Sequence, residues 1–184
     1  MKGIIFTEFN QLVEETWGLE TWEKLLDEVN PPSGGAYTSA DTYPDAELFS
    51  LVGALSKTVN TPVPDLVRAF GAYLTPRLVR LYPVFVKNKT AKQFLQSVHD
   101  IIHVEVKKLY PDAVLPMFRY EDPAPDRLVM LYRSDRKLCP LAEGLIEGTA
   151  KQFGVPIRLA HPRCLHKGDD HCRLELQIGK AHGS

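Results

Sequence analysis

The stretch that decides the fold runs from residue 90 to residue 110 and reads TAKQFLQSVHDIIHVEVKKLY. Thr90 followed by Gln93 is a capping-box pattern, and Pro111 prevents a helix from continuing. Apolar side chains recur between these ends with the period of an α-helix and form one broad arc, which comprises Phe94, Leu95, Val98, Ile101, Ile102, Val106 and Leu109. The stretch therefore predicts a single amphipathic helix that packs against a core.

Two histidines, His99 and His103, lie four residues apart on this predicted helix and so share a face. His99 falls inside the apolar arc and His103 at its edge, so helical geometry alone slightly favours His99 as the more buried of the two. The residues leave three interpretations open: a pair of hydrogen-bonded core histidines, a haem iron ligand, or a two-histidine metal clasp. The choice among them depends on the rest of the chain.

Composition and charge limit the class of protein. The 184 residues are 44% hydrophobic, enough to fill the core of one domain, and 22 Lys and Arg against 23 Asp and Glu give a net charge of -1. Without a basic face, nucleic acid is not an expected partner. We expect a cytoplasmic protein without membrane insertion, because Glu8 comes too early for a signal peptide, no apolar run could span a bilayer, and three cysteines are too few for a disulfide framework.

Four further helices are expected before the central one. Apolar periodicity, glycine stops and prolines in first helical positions place them at residues 2–18, 19–29, 45–59 and 65–81. Beyond Pro111 short alternating runs predict strands at residues 117–120, 128–134, 157–160 and 173–178, the first two paired as a hairpin. A helix at 140–153 lies between the two pairs of strands, and its Gly144 and Gly148 leave room for close approach.

This element order predicts an α+β fold, with helices first and a small antiparallel sheet last. We expect one domain over residues 1–184. Within it, a helical lobe covers about residues 1–62, a second lobe with the central helix and the sheet covers about 63–178, and a flexible tail covers 179–184.

A set of hydrogen-bond donors follows the strand at 128–134. In an extended segment Tyr132, Ser134 and Arg136 point to one side and present a phenol, a hydroxyl and a guanidinium together. Such a set suits an anionic oxygen group, because arginine holds a carboxylate or phosphate in a two-pronged contact. An ordinary polar strand face has the same pattern, so the set alone is weak evidence.

The order and spacing of five features carry a family resemblance over essentially the whole chain. They are Met-Lys-Gly at residues 1–3, a histidine in a mid-chain helix, Leu-Pro at 115–116, Tyr-x-Ser-x-Arg at 132–136 and Gly-Leu-Ile-Glu-Gly at 144–148. In this arrangement the chain resembles the H-NOX family of haem nitric oxide/oxygen binding domains. The resemblance implies a haem b that is buried between the two lobes, and it selects His103 over His99 as the proximal iron ligand.

The resemblance also implies roles for other residues. The Tyr132-x-Ser134-x-Arg136 motif would bind the haem propionates, which agrees with the donors that these side chains offer. Pro116 would press on and distort the macrocycle.

The predicted gas pocket departs from the oxygen-binding branch of that family. Oxygen-binding members hold dioxygen with a tyrosine, supported by a tryptophan and an asparagine, and the aligned positions here look like Leu141, Phe9 and Leu74. None of these is a donor, and Ile5 adds another apolar wall. Because bound dioxygen needs a donor and nitric oxide does not, we expect a nitric oxide sensor that forms no stable dioxygen complex.

Three cysteines and a histidine form a second predicted site. Three thiolates and an imidazole are a closed structural set for tetrahedral zinc, and the candidates are Cys139, His161, Cys164 and Cys172. The alternative is three unconnected buried cysteines and a surface histidine. One branch of the H-NOX family has a zinc site of this composition, so the resemblance favours structural zinc. His166 and His171 are competing ligands in the same loop.

The expected function is that of a bacterial sensor protein, not an enzyme. As the resemblance implies, it would bind nitric oxide and regulate a signalling enzyme in trans, either a histidine kinase or a cyclic-di-GMP enzyme (diguanylate cyclase or phosphodiesterase). A second hypothesis is a thiol redox sensor in which oxidation of Cys139, Cys164 or Cys172 releases zinc. A third, a metalloenzyme that uses both histidines of the central helix, fares worst because no motif supplies a general base.

Overall fold

The structure is a computed structural model in which residues 1–180 are described. The chain forms two compact units, Met1–Phe70 and the described residues from Gly71 onward. The division near residue 62 stays a prediction. Of the predicted flexible tail, residues 181–184 lie outside the described residues, and the backbone N–H of Gly179 donates to the Pro156 carbonyl at 2.8 Å.

The first unit is helical, as the periodicity predicts. Its helices are α1 (Gly3–Trp17), α2 (Leu19–Val29), α3 (Asp45–Val59) and the first part of α4 (Val63–Leu81). Gly18 ends α1 with a φ of 91°, and its N–H donates to the Glu14 carbonyl. Fully buried aromatic and aliphatic side chains fill the core of this unit, among them Phe6, Val13, Leu25, Leu51 and Leu55.

The central stretch contains two short helices with a π turn between them: α5 (Ala91–Ser97), the π turn (Val98–Ile102) and α6 (His103–Leu109). The predicted capping box at Thr90 and Gln93 is confirmed. The prediction of one regular helix is wrong at the π turn, where the His103 N–H donates to the Val98 carbonyl five residues earlier. The wider turn shifts the helical phase, which accounts for Ile101 and Leu109 being 46% and 65% exposed instead of buried.

A four-stranded antiparallel sheet lies in the second unit. Its strands are β1 (Met117–Ala124), β2 (Arg127–Arg133), β3 (Ile157–Arg163) and β4 (Cys172–Ile178), in the order β1-β2-β4-β3. The predicted hairpin of β1 and β2 is confirmed, with Phe118 opposite Tyr132. β1 continues beyond the predicted end at Tyr120 because an irregularity between Glu121 and Ala124 accommodates Pro123.

Helix α7 (Cys139–Phe153) packs against the sheet through Ala142 and Ile146. The predicted close approach at Gly148 is confirmed, because a Cβ there would lie 2.4 Å from Oγ1 of Thr75 on α4. Gly71 on α4 allows similar contact, since its Cβ would lie 2.4 Å from the Leu141 carbonyl oxygen. Across residues 1–180 no helix is both long and apolar enough to cross a membrane.

Candidate functional site

His103 is the first residue of α6, and the π turn sets its position. Its side chain is mostly buried, and its Nδ1 atom has no hydrogen-bond partner in the described part of the chain. Burial, together with the nearby His99, lowers the pKa of His103 from 6.5 to about 4, so the ring is neutral at physiological pH. A neutral imidazole with an unpartnered nitrogen is the form that a metal ligand requires.

His99 has different surroundings, although its ring centroid lies only 6.2 Å from that of His103. Its Nδ1 accepts from the backbone N–H of Phe118 at 3.5 Å, and its own backbone N–H donates to the Tyr120 hydroxyl at 3.3 Å. Both contacts come from β1. His99 is therefore hydrogen-bonded to the sheet, as a structural histidine would be. This difference supports His103 as the ligand.

A groove of about 640 Å³ adjoins His103. One wall comes from the π turn and α6, and the other comes from the segment that leads into β1, residues 113–117. Pro116 lies in this second wall, and its backbone interacts with the His103 ring. The predicted iron ligand and the predicted haem-contacting proline therefore lie together.

Tyr132, Ser134 and Arg136 also lie together, but not on one strand. β2 ends at Arg133, and a turn closed by a hydrogen bond from Lys137 N to Ser134 O carries the last two residues. The prediction of a continuous extended face is therefore wrong, because Ser134 and Arg136 lie in this turn. Ser134 Oγ accepts from the Arg136 N–H at 3.3 Å and also bonds the Tyr132 phenol, whose pKa burial raises to about 12.

The Arg136 side chain reaches the groove beside His103. Its Nη1 donates to the carbonyl of Val114, and Val114 is one of the residues that line the groove. A guanidinium at this margin suits a carboxylate on a ligand that fills the groove. The neutral His103 ring and the donor set therefore fit the two needs of haem, an axial nitrogen and partners for its propionates.

Phe118 contacts both predicted haem-binding groups and was missed by the sequence reasoning. Its ring centroid lies 5.9 Å from that of His103 and 5.4 Å from that of Tyr132, and the side chain is buried. The signal was available, because pairing the predicted strands in register places Phe118 opposite Tyr132.

The four residues of the predicted gas pocket are divided between the two units. In the first, Phe9 is buried and its ring packs edge-on against Phe70, with centroids 5.6 Å apart, while Ile5 is partly exposed. In the second, Leu74 is buried and Leu141 partly exposed. A pocket shared by these four apolar side chains stays a prediction.

The predicted thiol and imidazole ligands converge on one point. They come from the start of α7, from β3 and the residue after it, and from the start of β4, and their ligand atoms all lie within 4.8 Å of one another: Cys139, His161, Cys164 and Cys172. The Sγ atoms of Cys139 and Cys164 are 3.7 Å apart. Zinc–sulfur bonds of about 2.3 Å in a tetrahedron give a sulfur–sulfur edge of about 3.8 Å, so the spacing fits zinc.

The protonation of this cluster also fits a cation. Burial and the neighbouring thiols raise the pKa of Cys139, and burial raises the pKa of Cys172, so the crowded thiols resist ionisation without a positive charge. His161 belongs to the same cluster, and its Nε2 atom is buried with no partner among residues 1–180. The competing histidines lie elsewhere, since His166 bonds the Lys137 carbonyl and His171 bonds Asp170.

Comparisons with known proteins agree with this geometry. The family model described as haem-NO-binding matches residues 2–161. The structure is similar to an H-NOX protein from S. oneidensis solved in the Fe(II)NO state, at 35% identity and a TM-score of 0.91 over 98% of this chain and 100% of that one. It is also similar to the Fe(II) unliganded H-NOX protein from K. algicida, at 31% identity and a TM-score of 0.91 over the whole of both chains.

A more distant similarity links the chain to larger proteins. It is 26% identical over 161 residues to soluble guanylate cyclase 89Db of Drosophila melanogaster. That alignment covers 83% of this chain and 23% of the cyclase, so the chain spans about a quarter of the length of this relative.

Proposed function

The chain belongs to the haem-NO-binding (H-NOX) family, and from that premise we propose that it is a haem-based nitric oxide sensor. The family has a haem-based gas-sensing fold related to soluble guanylate cyclase, and its domains are sensors that are generally not catalytic themselves. The observation that carries the proposal is His103, a neutral, mostly buried imidazole that lies beside a groove and whose Nδ1 has no partner in the described part of the chain.

In this proposal His103 holds the iron of haem b, and Pro116 lies against the macrocycle. Tyr132, Ser134 and Arg136 hold the propionates, which accords with the hydrogen bond between the Tyr132 and Ser134 side chains and with the Arg136 guanidinium at the margin of the groove. The bound haem supplies an iron atom that takes up a diatomic gas. Because His103 is already neutral, it needs to release no proton before it binds iron.

The proposed selectivity rests on the chemistry of Ile5, Phe9, Leu74 and Leu141. None of these side chains can donate a hydrogen bond. Bound dioxygen carries partial negative charge and is stabilised by a donor, whereas nitric oxide binds ferrous haem tightly without one. We therefore expect nitric oxide to bind and dioxygen to form no stable complex.

An absorption spectrum of the reduced, haem-loaded protein tests the proposal. The ferrous protein should show a five-coordinate, imidazole-ligated haem, and nitric oxide should change that spectrum. Exposure to air should give no stable oxy-haem spectrum. A stable oxy complex would refute the selectivity, and failure to bind haem would refute the cofactor.

The output of the sensor is proposed to be regulation of a separate signalling enzyme in the cytoplasm, either a histidine kinase or a cyclic-di-GMP enzyme. The support is the family, whose members pass their signal to partner enzymes. Activity of a candidate partner should differ between mixtures with the ferrous and with the nitric oxide-bound protein. Equal partner activity in the two mixtures would exclude that enzyme.

We also propose a structural zinc ion at Cys139, His161, Cys164 and Cys172. Two observations support it: the four ligand atoms converge, and the buried Nε2 of His161 has no partner within residues 1–180. Freshly purified, reduced protein should contain one zinc per chain. A clearly lower content would contradict the site.

A thiol redox sensor is the second candidate function, because the Cys139 and Cys164 sulfur atoms lie 3.7 Å apart. An added oxidant such as peroxide could join them as a disulfide and release the zinc. Haem-free protein, reduced and oxidised, should then affect the partner enzyme differently. An equal effect of both forms would reject this candidate.

A further inference from the structure

Glu143 lies one helical turn after Cys139 on α7 and reaches across to β3. Its Oε1 atom is 2.5 Å from Nδ1 of His161. Both side chains are mostly buried, with relative exposures of 15% for Glu143 and 16% for His161. The contact is short and shielded from water, which makes it a strong charge-assisted hydrogen bond.

This contact decides which nitrogen of His161 carries the proton. An ionised carboxylate only accepts hydrogen bonds, so the ring must donate from Nδ1. In the neutral ring Nε2 then keeps its lone pair. Nε2 is the buried atom without a partner in the described chain, and a ring nitrogen of His161 lies within 4.8 Å of the three sulfur atoms.

We propose that Glu143 is a positioning residue that holds His161 in the Nδ1-protonated form and aims its Nε2 at the metal. The inference rests on the proposed zinc site and deepens it. Carboxylates that hold the second nitrogen of a ligating histidine fix its orientation and make it a stronger base, and losing them weakens metal binding about 10- to 100-fold.

The arrangement prepares the site before any metal arrives. Helix α7 supplies both the ligand Cys139 and the orienting Glu143, and the two are four residues apart on one face. The same helix is thereby bonded to β3 through His161. Because the His161 ring is already held in place, little rotational freedom is lost when zinc binds, and the affinity for zinc is higher.

Two substitutions of Glu143 separate its charge from its hydrogen bond. Glu143→Gln keeps an acceptor of the same shape but no charge, and Glu143→Ala removes both. Glu147→Gln, one turn further along α7, is the matched control. Zinc affinity is measured by competition with a chelating dye on the full-length reduced protein, and far-ultraviolet circular dichroism confirms that each variant folds.

Glu143→Ala should bind zinc about 10- to 100-fold more weakly than the wild type. The affinity of Glu143→Gln should be intermediate, and the affinity of Glu147→Gln should equal that of the wild type. In cobalt(II)-substituted protein, the ligand-field bands should change in Glu143→Ala, because the imidazole is no longer aimed at the metal. Unchanged affinity and bands in Glu143→Ala would overturn the inference.

Nitrogen NMR of His161 in the zinc-free reduced protein provides a test that needs no metal. The wild type should be protonated at Nδ1, and Glu143→Ala should shift the ring toward protonation at Nε2. A wild-type ring protonated at Nε2 would overturn the inference. If the wild type bound no zinc, the zinc proposal would fail while this measurement still decided the role of Glu143.

Discussion

His103 and His161 invite comparison, because each has a buried ring nitrogen without a hydrogen-bond partner among residues 1–180. They differ in what surrounds the ring. In His161 the atom without a partner is Nε2, and Nδ1 contacts the Glu143 carboxylate at 2.5 Å. In His103 the Nδ1 atom itself has no partner among residues 1–180. The ring of His161 is held by a side chain of helix α7, whereas the ring of His103 interacts with the backbone of Pro116.

The surrounding elements repeat the contrast. His161 lies in a four-stranded sheet beside three buried cysteines. His103 begins a seven-residue helix whose last side chain, Leu109, is 65% exposed. The difference accords with the two proposed roles, because a structural ligand must stay in place and a sensing ligand must be able to move. The following changes test this contrast, in order of decreasing effect.

The largest effect is expected from His103→Gly. Without the imidazole, the ferrous protein should lose its five-coordinate, imidazole-ligated haem spectrum completely, and added free imidazole should restore it. His99→Ala is the matched control, because its contacts are with β1, and should keep the spectrum. A normal spectrum in His103→Gly, or a loss confined to His99→Ala, would move the ligand to the other histidine.

Removal of zinc should affect the other region strongly. A chelator acting on reduced protein should destabilise the fold by about 4 kcal/mol when free zinc had been a thousandfold above its Kd. Thermal unfolding with and without chelator measures this loss, and re-addition of zinc should reverse it. The haem spectrum at low temperature should stay unchanged. An unaltered melting temperature would show that no ion supports this region.

Acid should weaken the haem-free protein through His103. The unfolded residue takes up a proton near pH 6.5 and the native one near pH 4, so between these values the unfolded state binds more protons. This part of the stability is complete above about pH 6.5 and is lost as the pH falls toward 4, by at most about 3 kcal/mol. Urea unfolding at several pH values measures it.

The variant His103→Gln, which has no ring to protonate, provides the control for that titration. Its stability should fall less over the same pH range than the stability of the wild type. Equal slopes in the two proteins would place the acid sensitivity on other groups.

The smallest effect is expected from Gly148→Ala on α7. The new methyl would lie 2.4 Å from Thr75 Oγ1 and 3.0 Å from the Ala72 carbonyl oxygen, which should cost about 1–3 kcal/mol. Gly53→Ala in α3 is the matched control, because nothing lies within 4 Å of its Cβ, and should stabilise by about 0.5–1 kcal/mol. Denaturant unfolding compares the two.

Zinc content of Gly148→Ala adds to the comparison of the two regions. Helix α7 begins with the proposed ligand Cys139. If Gly148→Ala displaces this helix, zinc should stay bound only if the other three proposed ligands can follow Cys139. Destabilisation by Gly53→Ala, or none by Gly148→Ala, would contradict the close packing.

Most elements could be predicted from the sequence because local signals fix their ends. Thr90 and Gln93 cap α5, Gly18 ends α1 and Gly154 ends α7, each with a geometry that the residue type favours. The β1–β2 hairpin followed from alternation and from a turn-rich segment. The ends of these elements depend on residues that are close together in the chain, so they can be predicted from a single sequence.

The parts that failed depend on a change of register that residue types do not encode. The helical wheel assumes a constant rotation through residues 98–102, where the structure has a π turn, so it does not describe the faces of this segment. Lys137 has a φ of 50°, which a lysine seldom adopts, and the turn before it ends β2 earlier than predicted. The sequence supplied the four thiol and imidazole ligands as candidates, but their convergence depends on the pairing of β3 with β4. Glu143 was missed, although its position four residues after Cys139 on a predicted helix was a signal for it.

The π turn between α5 and α6 also separates two helices that we expect to differ in local unfolding. Lys92 and Gln96 on α5 bond Asp122 in β1, while the cation of Lys108 on α6 pairs with Glu105 in the same helix. The first helix therefore has polar bonds to the sheet, and we expect the second to open locally at lower free energy. Amide hydrogen exchange should be slow before residue 98 and faster after residue 103, so His103 begins the segment that opens first.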